Sequence, residues 1–400
     1  MNVRFTLIGI SLFALTFGPA HSAGRCDLAA PNAGQAGANC AQDWMDINLR
    51  VNDVVTLGTA ESYKQRLSTM LMTMVKMGSA KDAKKLDFEM PAITEQLDNG
   101  ARMLSFDVAY DPKGGALKNP AGSVLASEFL PDSFSEQMSK PGFKTVHVLD
   151  VDYRSNCQPL AACLESVKAW SLAHPQHIPI LIALSTNDEK TPMPRATNPL
   201  KIDAAALNAL DAEVRKSLGD RLLTPDMVQG QYPTLREAVT HSAWPQLNEA
   251  RGKIMVVLKD SAEKITTYQG ARKSLEGRAM FVTADENSPA AAIVAVDDPI
   301  SGAPRIAAAV KAGFIVTTRA DADTLEARSN DASRRTAALA SGAQYVATNF
   351  MMPDKKIGPY QVQLAQPGIA ACNVVLVAQR CQGMTIEPRG EVHSLIATSD

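Results

Sequence analysis

The sequence has no excess of charge of either sign and lacks the motifs that mark nucleotide binding. Its 40 basic and 42 acidic residues leave a formal net charge of −2, which argues against nucleic acid as a partner and against strong attraction to anionic membranes. No Gly-x-Gly-x-x-Gly or phosphate-loop motif opens a helix, so a nucleotide-binding fold has no support. The six cysteines include no Cys-x-x-Cys and no histidine at ligand spacing, which disfavours a cysteine-ligated metal.

Long apolar runs are also lacking, apart from one near the N-terminus. Residues 5–17 follow a short positive region and precede small residues at 18–23, a pattern typical of a secretory signal cleaved after Ala23 or Ala20. The run is shorter than the ~20 apolar residues that span a membrane. We therefore expect residues 1–23 to be removed and the mature protein to be secreted or periplasmic, without a transmembrane segment.

The cysteines favour disulfides, because an even number in an exported chain is typical of a disulfide framework. Six cysteines allow fifteen connectivities, and pairing nearest neighbours is the simplest of them. The pairs expected on that basis are Cys26 with Cys40, Cys157 with Cys163, and Cys372 with Cys381.

Apolar segments alternate with helical ones along the chain, which predicts an α/β fold: a single TIM-type (β/α)8 barrel. The eight predicted strands are Val54–Leu57, Arg102–Val108, Lys144–Leu149, Ile178–Leu184, Lys253–Leu258, Ala279–Val282, Gly313–Thr317 and Gln344–Thr348. A long insertion, residues 185–252, follows the fourth strand. Around the barrel, predicted over 53–381, we expect an irregular lead-in at 24–52 and a polar tail at 382–400.

Polar residues follow the first three predicted strands, where a β/α barrel places its catalytic groups. The clearest case is the segment 103–115, an apolar strand that runs into an acidic turn closed by proline and glycine. If these strands are neighbours, five side chains face one mouth of the barrel: Glu61, Asp107, His147, Asp150 and Asp152.

Three segments closely resemble the secreted calcium-dependent phosphatidylinositol-specific phospholipase C-like proteins. They are residues 94–102, 147–157 and 317–324, and the resemblance extends over roughly residues 40–381. It implies a TIM barrel, a phosphoric diester hydrolase activity in lipid metabolism, a bound calcium ion and a phosphoinositide or other phosphodiester as ligand. Such an enzyme makes a neighbouring inositol hydroxyl attack phosphorus, with two histidines and a calcium ion assisting.

By this resemblance, three residues keep a role in the chemistry. His147 matches the histidine that protonates the leaving alcohol, and Asp107 matches a calcium ligand. Glu61 stands where the family carries an asparagine ligand, and its carboxylate is a plausible oxygen donor.

Three other positions depart from the family pattern. Ala60 stands where the first histidine belongs in Gly-Thr-His-Asn-Ser-Tyr, while Ser105 and Ala183 replace two glutamate ligands. Loss of one charge-assisted donor alone costs on the order of 10²–10³ in rate. Calcium takes 6–8 oxygens, so we expect its binding here to be weak or absent.

Arg319 and Arg154 are the candidate substrate-binding residues. Arg319 follows the seventh predicted strand and could bind phosphate bidentately, or it could pair with an aspartate of its own loop, Asp321 or Asp323. Arg154 could instead form a structural ion-pair network with Asp150 and Asp152.

Three functions remain open from the sequence, and they leave it undecided whether the protein is an enzyme. The first is a pseudoenzyme that binds a ligand in the old pocket. The second is an active phosphodiesterase with a rearranged site that uses His147, Glu61 and Asp107. The third is a non-catalytic interaction module that presents the Met-rich segment 65–86 to a partner, although such a cluster also suits a helical core.

Overall fold

The computed structural model describes residues 40–364, 368–377 and 386–387. The chain divides into one unit of residues 1–44, whose described residues begin helix α1, and a second unit of residues 45–400. The strands in the described residues are β1 Val54–Thr59, β2 Met103–Asp111, β3 Gly142–Thr145, β4 Ile180–Thr186, β5 Ile254–Leu258, β6 Phe281–Val282, β7 Ile293–Ala295, β8 Ile315–Arg319, β9 Tyr345–Thr348 and β10 Ala370–Cys372.

Helices occupy most of the connections between the strands. They are α1 Cys40–Asn48, α2 Thr69–Gly78, α3 Ala80–Leu86, α4 Ile93–Asp98, α5 Ala121–Leu125, α6 Asp132–Ser139, α7 Leu160–Ala173, α8 Ala204–Leu218, α9 Pro225–Gln229, α10 Leu235–Thr240, α11 Leu247–Ala250, α12 Ala262–Gln269, α13 Ala303–Lys311, α14 Leu325–Ser329 and α15 Ser333–Ala340. Several begin at a capping side chain: Ser68, Asp203 and Ser261 each accept a hydrogen bond from the backbone N–H three residues later, which satisfies an otherwise free donor of the first turn.

The strands form two five-stranded sheets of mixed direction, so the fold is α/β. Their orders are β10-β1-β9-β8-β7 and β3-β2-β4-β5-β6. Four strands of each sheet are parallel, and an antiparallel strand, β10 or β3, lies at one edge. Strands buried on both faces read as continuous apolar runs, as Ile180–Leu184 does. That pattern explains why sequence alone locates most of the strands.

The two sheets contact each other at two places, which we call the seams. Thr283 and Ile293 form a parallel bridge between the end of β6 and the start of β7. On the other side, the Arg102 N–H donates to the Leu57 carbonyl at 2.8 Å, which joins β2 to β1. The ladders themselves pair as two sheets and not as one continuous set.

The third predicted strand, Lys144–Leu149, is wrong in extent and direction. The observed β3 is Gly142–Thr145 and runs antiparallel to β2. The chain then turns, with a bridge from Val148 to Asp152 and a left-handed backbone at Asp150 (φ 67°). Apolar alternation in a short run is ambiguous, and here it belongs to a turn. The eighth parallel strand is β7, Ile293–Ala295, which the sequence analysis did not predict.

Gly58 marks the closest approach of β1 to β2. A Cβ at this position would lie 2.2 Å from the Met103 Cβ and 2.5 Å from the Met103 carbonyl oxygen. We therefore expect Gly58→Ala to lower the free energy of unfolding by about 1–3 kcal/mol, the usual cost of overpacking. Denaturant unfolding measures it. Gly78→Ala is the matched control, since no atom lies within 4 Å of its Cβ, and an unfolding free energy of Gly58→Ala equal to the parent's would contradict the close packing.

Helix α2 divides the Met-rich segment between core and surface. Leu71 is buried, and Met72 and Met74 pack against the same apolar cluster. Met70 and Met77 remain 58% and 77% exposed. The helical-core interpretation is therefore confirmed for one face of α2, and the interaction module remains a prediction for the other.

The disulfide Cys157–Cys163 is confirmed, and Cys372 is also disulfide-bonded. Cys26 and Cys381 lie outside the described residues, and with them the other two predicted pairs. None of the described helices is long and apolar enough to cross a membrane.

The ends of the chain differ in part from expectation. The predicted signal at 1–23 and most of the tail lie outside the described residues. The irregular lead-in at 24–52 is wrong for its last part, because α1 and a short 3-10 helix at Val51–Asp53 occupy it. In the predicted tail, Glu387 is buried and accepts from the Arg102 guanidinium and the Ile178 N–H.

Candidate functional site

A cavity of about 220 Å³ lies between the two sheets, toward the carboxyl ends of the parallel strands. We call it the strand-end pocket. Alternate residues of a strand face the same side, and three strands each contribute such a pair. The pairs are Ser105 and Asp107 of β2, Ala183 and Ser185 of β4, and Thr317 and Arg319 of β8. Ala60 and Glu61 line it from the loop after β1, so it brings together most of the positions singled out in the sequence.

The loop after β1 is fixed to β2 by the residues that this sequence shares with the family motif. The Ser62 N–H donates to the Ser105 carbonyl at 2.9 Å, and the Ser105 N–H donates to the Ser62 hydroxyl at 2.8 Å. Thr59 bonds Gln96 at 2.6 Å. The shared residues hold the loop in place, whereas the substituted residue Glu61 faces the pocket.

Asp107 is held by the fourth shared residue of the motif. The Tyr63 hydroxyl donates to Asp107 Oδ2 at 2.9 Å, and the Tyr63 ring stacks on Phe106. Burial raises the pKa of the Asp107 carboxyl, although the charge of His147 and the bond from Tyr63 oppose that rise. One carboxylate oxygen of Asp107 is therefore already occupied.

Glu61 has a carboxylate oxygen without a partner. Its backbone is in the left-handed region (φ 49°), and its Oε2 is buried and accepts no hydrogen bond from the described residues. Burial raises the pKa of Glu61, while the positive charges of His147 and Arg319 lower it. An unsatisfied buried acceptor costs about 1–3 kcal/mol, so this oxygen is available to a ligand.

His147 is oriented by a buried ion pair. Its Nδ1 lies 3.0 Å from Asp152 Oδ2, and Lys64 Nζ lies 2.8 Å from the same oxygen. Burial lowers the pKa of His147, but the bond to Asp152 and the charges of Glu61 and Asp107 raise it to about 9. The imidazole is therefore a cation at neutral pH. Sequence analysis named Asp152 but missed Lys64, which directly follows the family motif.

Arg319 contributes a guanidinium with unused donors. Its Nε and Nη2 atoms are buried and have no hydrogen-bond partner in the part of the chain that the structure describes. Asp321, by contrast, accepts from the Thr348 hydroxyl and the Asn349 N–H, and Asp323 pairs with Lys85. Within the described residues, Arg319 makes no ion pair with either aspartate, so the alternative of pairing inside its own loop is wrong.

Two of the residues expected at the mouth lie elsewhere. Arg154 pairs with Glu128 and lines a different, larger cavity. Asp150 accepts from the Ala121 N–H at 2.9 Å and from both polar groups of Thr197. The predicted network of Asp150, Asp152 and Arg154 is therefore wrong, because each of the three has its own partners.

Lys259 and Asp297 also line the pocket and were missed by sequence analysis. Lys259 Nζ lies 2.6 Å and 2.9 Å from the two Asp297 carboxylate oxygens. Lys259 directly follows β5. A polar residue at the end of a buried strand was the available signal.

Few side chains of the pocket offer an oxygen to a calcium ion. Calcium takes 6–8 oxygen ligands, and the carboxylates that line the pocket are Glu61, Asp107 and Asp297, of which Asp107 accepts from Tyr63 and Asp297 pairs with Lys259. Within the described part of the chain, no three His, Cys, Asp or Glu side chains are placed to hold a metal. The adjacent cation, Arg319, opposes a second positive charge at this position.

The His147–Asp152 pair should make stability depend on pH. Because the folded pKa is about 9 against an ordinary 6.5, its contribution is fully present below pH 6.5 and is lost as pH rises through 9. We expect a loss of roughly 2 kcal/mol, discounted because solvent reaches 29% of the side chain. Urea unfolding at pH 6.5 and 9.5 measures it. The fall should be smaller in His147→Gln and unchanged in the exposed control His241→Gln; equal falls in all three proteins would contradict the assignment.

Comparison with solved structures finds phospholipases C. One is the calcium-dependent phosphoinositol-specific phospholipase C of a Gram-negative Pseudomonas sp., at 16% identity over 80% of this chain and 96% of that one, with a TM-score of 0.48. Another is the Ca²⁺-dependent enzyme of Streptomyces antibioticus, at 17% identity over 75% and 94%, with a TM-score of 0.47. A third, from Listeria monocytogenes, shares 12% identity over 79% and 96%, with a TM-score of 0.43.

A search of curated proteins gave no match. The family model described as "Phosphoinositide phospholipase C, Ca2+-dependent" matches residues 49–374, which is most of the chain. The chain belongs to the Ca²⁺-dependent phosphoinositide phospholipase C family.

Proposed function

We propose that the strand-end pocket binds the phosphate group of a phosphoinositide or another phosphodiester, and that it does so without the calcium ion of the family. One observation carries the proposal: Arg319 lines the pocket, and two nitrogens of its guanidinium are buried with no hydrogen-bond partner among the described residues. A guanidinium matches phosphate bidentately. Such a contact would satisfy donors that are otherwise buried at a cost of about 1–3 kcal/mol or more.

His147 lies close enough for its charge to lower the pKa of the pocket residues Glu61 and Asp107, and we propose that it supplies a second positive charge to the same ligand. Its Nδ1 is engaged by Asp152, which leaves Nε2 as the nitrogen able to donate to a phosphate oxygen. Because Lys64 compensates the charge of Asp152, the imidazolium keeps a net attraction for an anion. The two cations thus take over the charge neutralisation that a calcium ion would supply.

The substituted positions support a binding function in which the parental chemistry is lost. The methyl group of Ala60 lines the pocket at the position of the first histidine and can neither donate nor accept a proton. Ala183 and Ser105, side by side in the β2–β4 register, leave two ligand positions without a carboxylate. We therefore propose a ligand-binding pseudoenzyme.

A calcium-independent phosphodiesterase is the second candidate, and the free carboxylate oxygen of Glu61 favours it. Burial raises the pKa of Glu61, which suits a general base at neutral pH. In that reaction Glu61 takes the proton of the inositol hydroxyl and the hydroxyl oxygen bonds to phosphorus. The bond to the leaving alcohol breaks, and His147 gives that oxygen its proton.

Phosphorus NMR of glycerophosphoinositol incubated with the protein in excess EDTA separates the two candidates. Saturable broadening or shift of the substrate signal without a new phosphorus species supports the pseudoenzyme. Formation of a cyclic phosphate at ~1 per second or faster, lost in both Glu61→Gln and His147→Gln, would establish the phosphodiesterase instead. The absence of both binding and turnover would overturn the proposal.

We also propose that the two sheets are the halves of a TIM-type barrel, with the predicted insertion, residues 185–252, between β4 and β5. Eight parallel strands and contacts at both seams support this arrangement. The signal pattern of residues 1–23 supports secretion or export to the periplasm. Mass determination of the exported protein would test the cleavage.

A further inference from the structure

A second cavity, of about 710 Å³, lies apart from the strand-end pocket. Thr59, the last residue of β1, lines it together with Asn349, which follows β9, whereas the next residue after Thr59, Ala60, lines the strand-end pocket. Successive residues of an extended chain point to opposite faces, so the two cavities lie on opposite sides of the end of β1. Its volume is in the range of small-molecule sites. We call it the outer cleft.

Asn349 is the polar centre of the outer cleft. The residue is 6% exposed, yet within residues 40–364, 368–377 and 386–387 neither its Oδ1 nor its Nδ2 has a hydrogen-bond partner. The backbone of Asn349 is fixed, since its N–H donates to Asp321 Oδ1 at 3.0 Å. Each buried, unsatisfied group costs about 1–3 kcal/mol. The buried amide is therefore suited to a ligand that has both a hydrogen-bond donor and a hydrogen-bond acceptor. A ligand that has only an acceptor would fit if a water molecule supplied the donor.

The charged lining of the cleft is basic on balance. Its two acidic residues, Glu89 and Asp354, both pair with Arg66. Arg154 also lines the cleft; its guanidinium pairs with Glu128, and its buried Nε has no hydrogen-bond partner in the described part of the chain. Lys355 and Lys356 line the cleft from the exposed side. The rim therefore favours an anionic group.

The remaining wall is apolar. Phe88 and Phe350 are 1% exposed, and Met90 is 7% exposed, and all three line the cleft together with Met351 and Pro353. Aromatic and methionine side chains provide a surface that adapts to an alkyl chain or ring.

We infer that the outer cleft binds a small amphiphilic anion, with the apolar part against the Phe88–Phe350 wall and the anionic head between Asn349, Arg154 and the two lysines. The shared chemistry is an apolar chain joined to a carboxylate or a phosphate. The inference does not depend on what the strand-end pocket binds.

Calorimetric titrations with three single-chain amphiphiles below their micelle concentrations test the class. Dodecanoate and dodecyl phosphate should both bind. The one with the lower dissociation constant shows whether the cleft prefers a carboxylate or a phosphate head group. Dodecyltrimethylammonium, which has the same chain and the opposite charge, should bind at least 10-fold more weakly. Equal binding of the cation, or no binding of either anion at millimolar concentration, would overturn the inference. Excess glycerophosphoinositol should not displace the anion.

Two variants locate the site. Asn349→Leu should weaken anion binding by about 10-fold or more without lowering the midpoint of unfolding, because it removes two unsatisfied buried groups. Lys355→Glu combined with Lys356→Glu on the exposed rim should weaken it by a similar factor, and Lys311→Glu, on the exposed end of α13, should not. Unchanged affinity in the lysine double variant, or in a folded Asn349→Leu protein, would contradict the site.

Discussion

Arg319→Met should reduce the affinity for glycerophosphoinositol by at least ~100-fold, the largest loss that we expect from a single substitution. Truncating one partner of a buried charge pair costs about 2–5 kcal/mol, and Arg319 is the cation of the pocket with unpaired buried donors. Methionine keeps the length of the apolar stem but removes the charge and the hydrogen bonds. Calorimetry in EDTA measures the loss.

A second readout separates lost binding from lost folding. Without ligand, the unpaired guanidinium destabilises the folded state. Arg319→Met should therefore leave the midpoint of unfolding unchanged or raise it. Arg305→Met is the matched control. Arg305 lies on α13 and is half-exposed in an ion pair with Glu286. If Arg319→Met binds within threefold of the parent protein while remaining folded, Arg319 does not hold the phosphate.

Replacing four residues by those of the family pattern should create a calcium site in the pocket, where the parent protein has few oxygen ligands. The variant combines Ala60→His, Glu61→Asn, Ser105→Glu and Ala183→Glu. Because Ser105 and Ala183 are register partners, the two new carboxylates would lie side by side, with Asp107 two residues further along β2. We expect calcium affinity at least 10-fold above that of the parent protein, in the 10⁻⁴–10⁻³ M range of modest sites, measured by calorimetry.

The single restorations should do little, since ligands of one ion act as a unit. Arg319 sharpens the test. Its charge opposes calcium, so adding Arg319→Met to the quadruple variant should strengthen calcium binding further, whereas it should abolish phosphate binding in the parent protein. A folded quadruple variant that binds calcium no better than the parent would show that the pocket has lost the family geometry.

Most of the strands could be located from the sequence because a strand buried on both faces is a continuous apolar run. The run Ile180–Leu184 is apolar throughout and is fully enclosed, as central parallel strands require. The same reasoning failed at β7, a three-residue strand inside the apolar run 290–296 that was not recognised as a strand. It also failed at the segment of His147, where apolar alternation belongs to a turn held by Asp152 and Lys64 rather than to a strand.

The sequence predicted which residues lie near the site better than it predicted which of them form ion pairs. The family resemblance led to Glu61 and Asp107, which line one pocket, and to His147, whose charge acts on both of them; their roles stay a prediction. Which charges remain free was not predictable, because pairing depends on contacts between residues far apart in sequence. Arg154 is paired with Glu128 and Arg319 is not paired, although both are arginines that follow apolar segments.

Titration of glycerophosphoinositol into the protein by calorimetry, once in excess EDTA and once in millimolar calcium, tests the central claim most directly. The charges of Arg319 and His147 predict one binding site with the same dissociation constant in both buffers, and weaker binding as pH rises through 9, where His147 loses its proton. Binding that appears only with calcium, or no binding in either buffer, would contradict a pocket in which these two cations replace the metal.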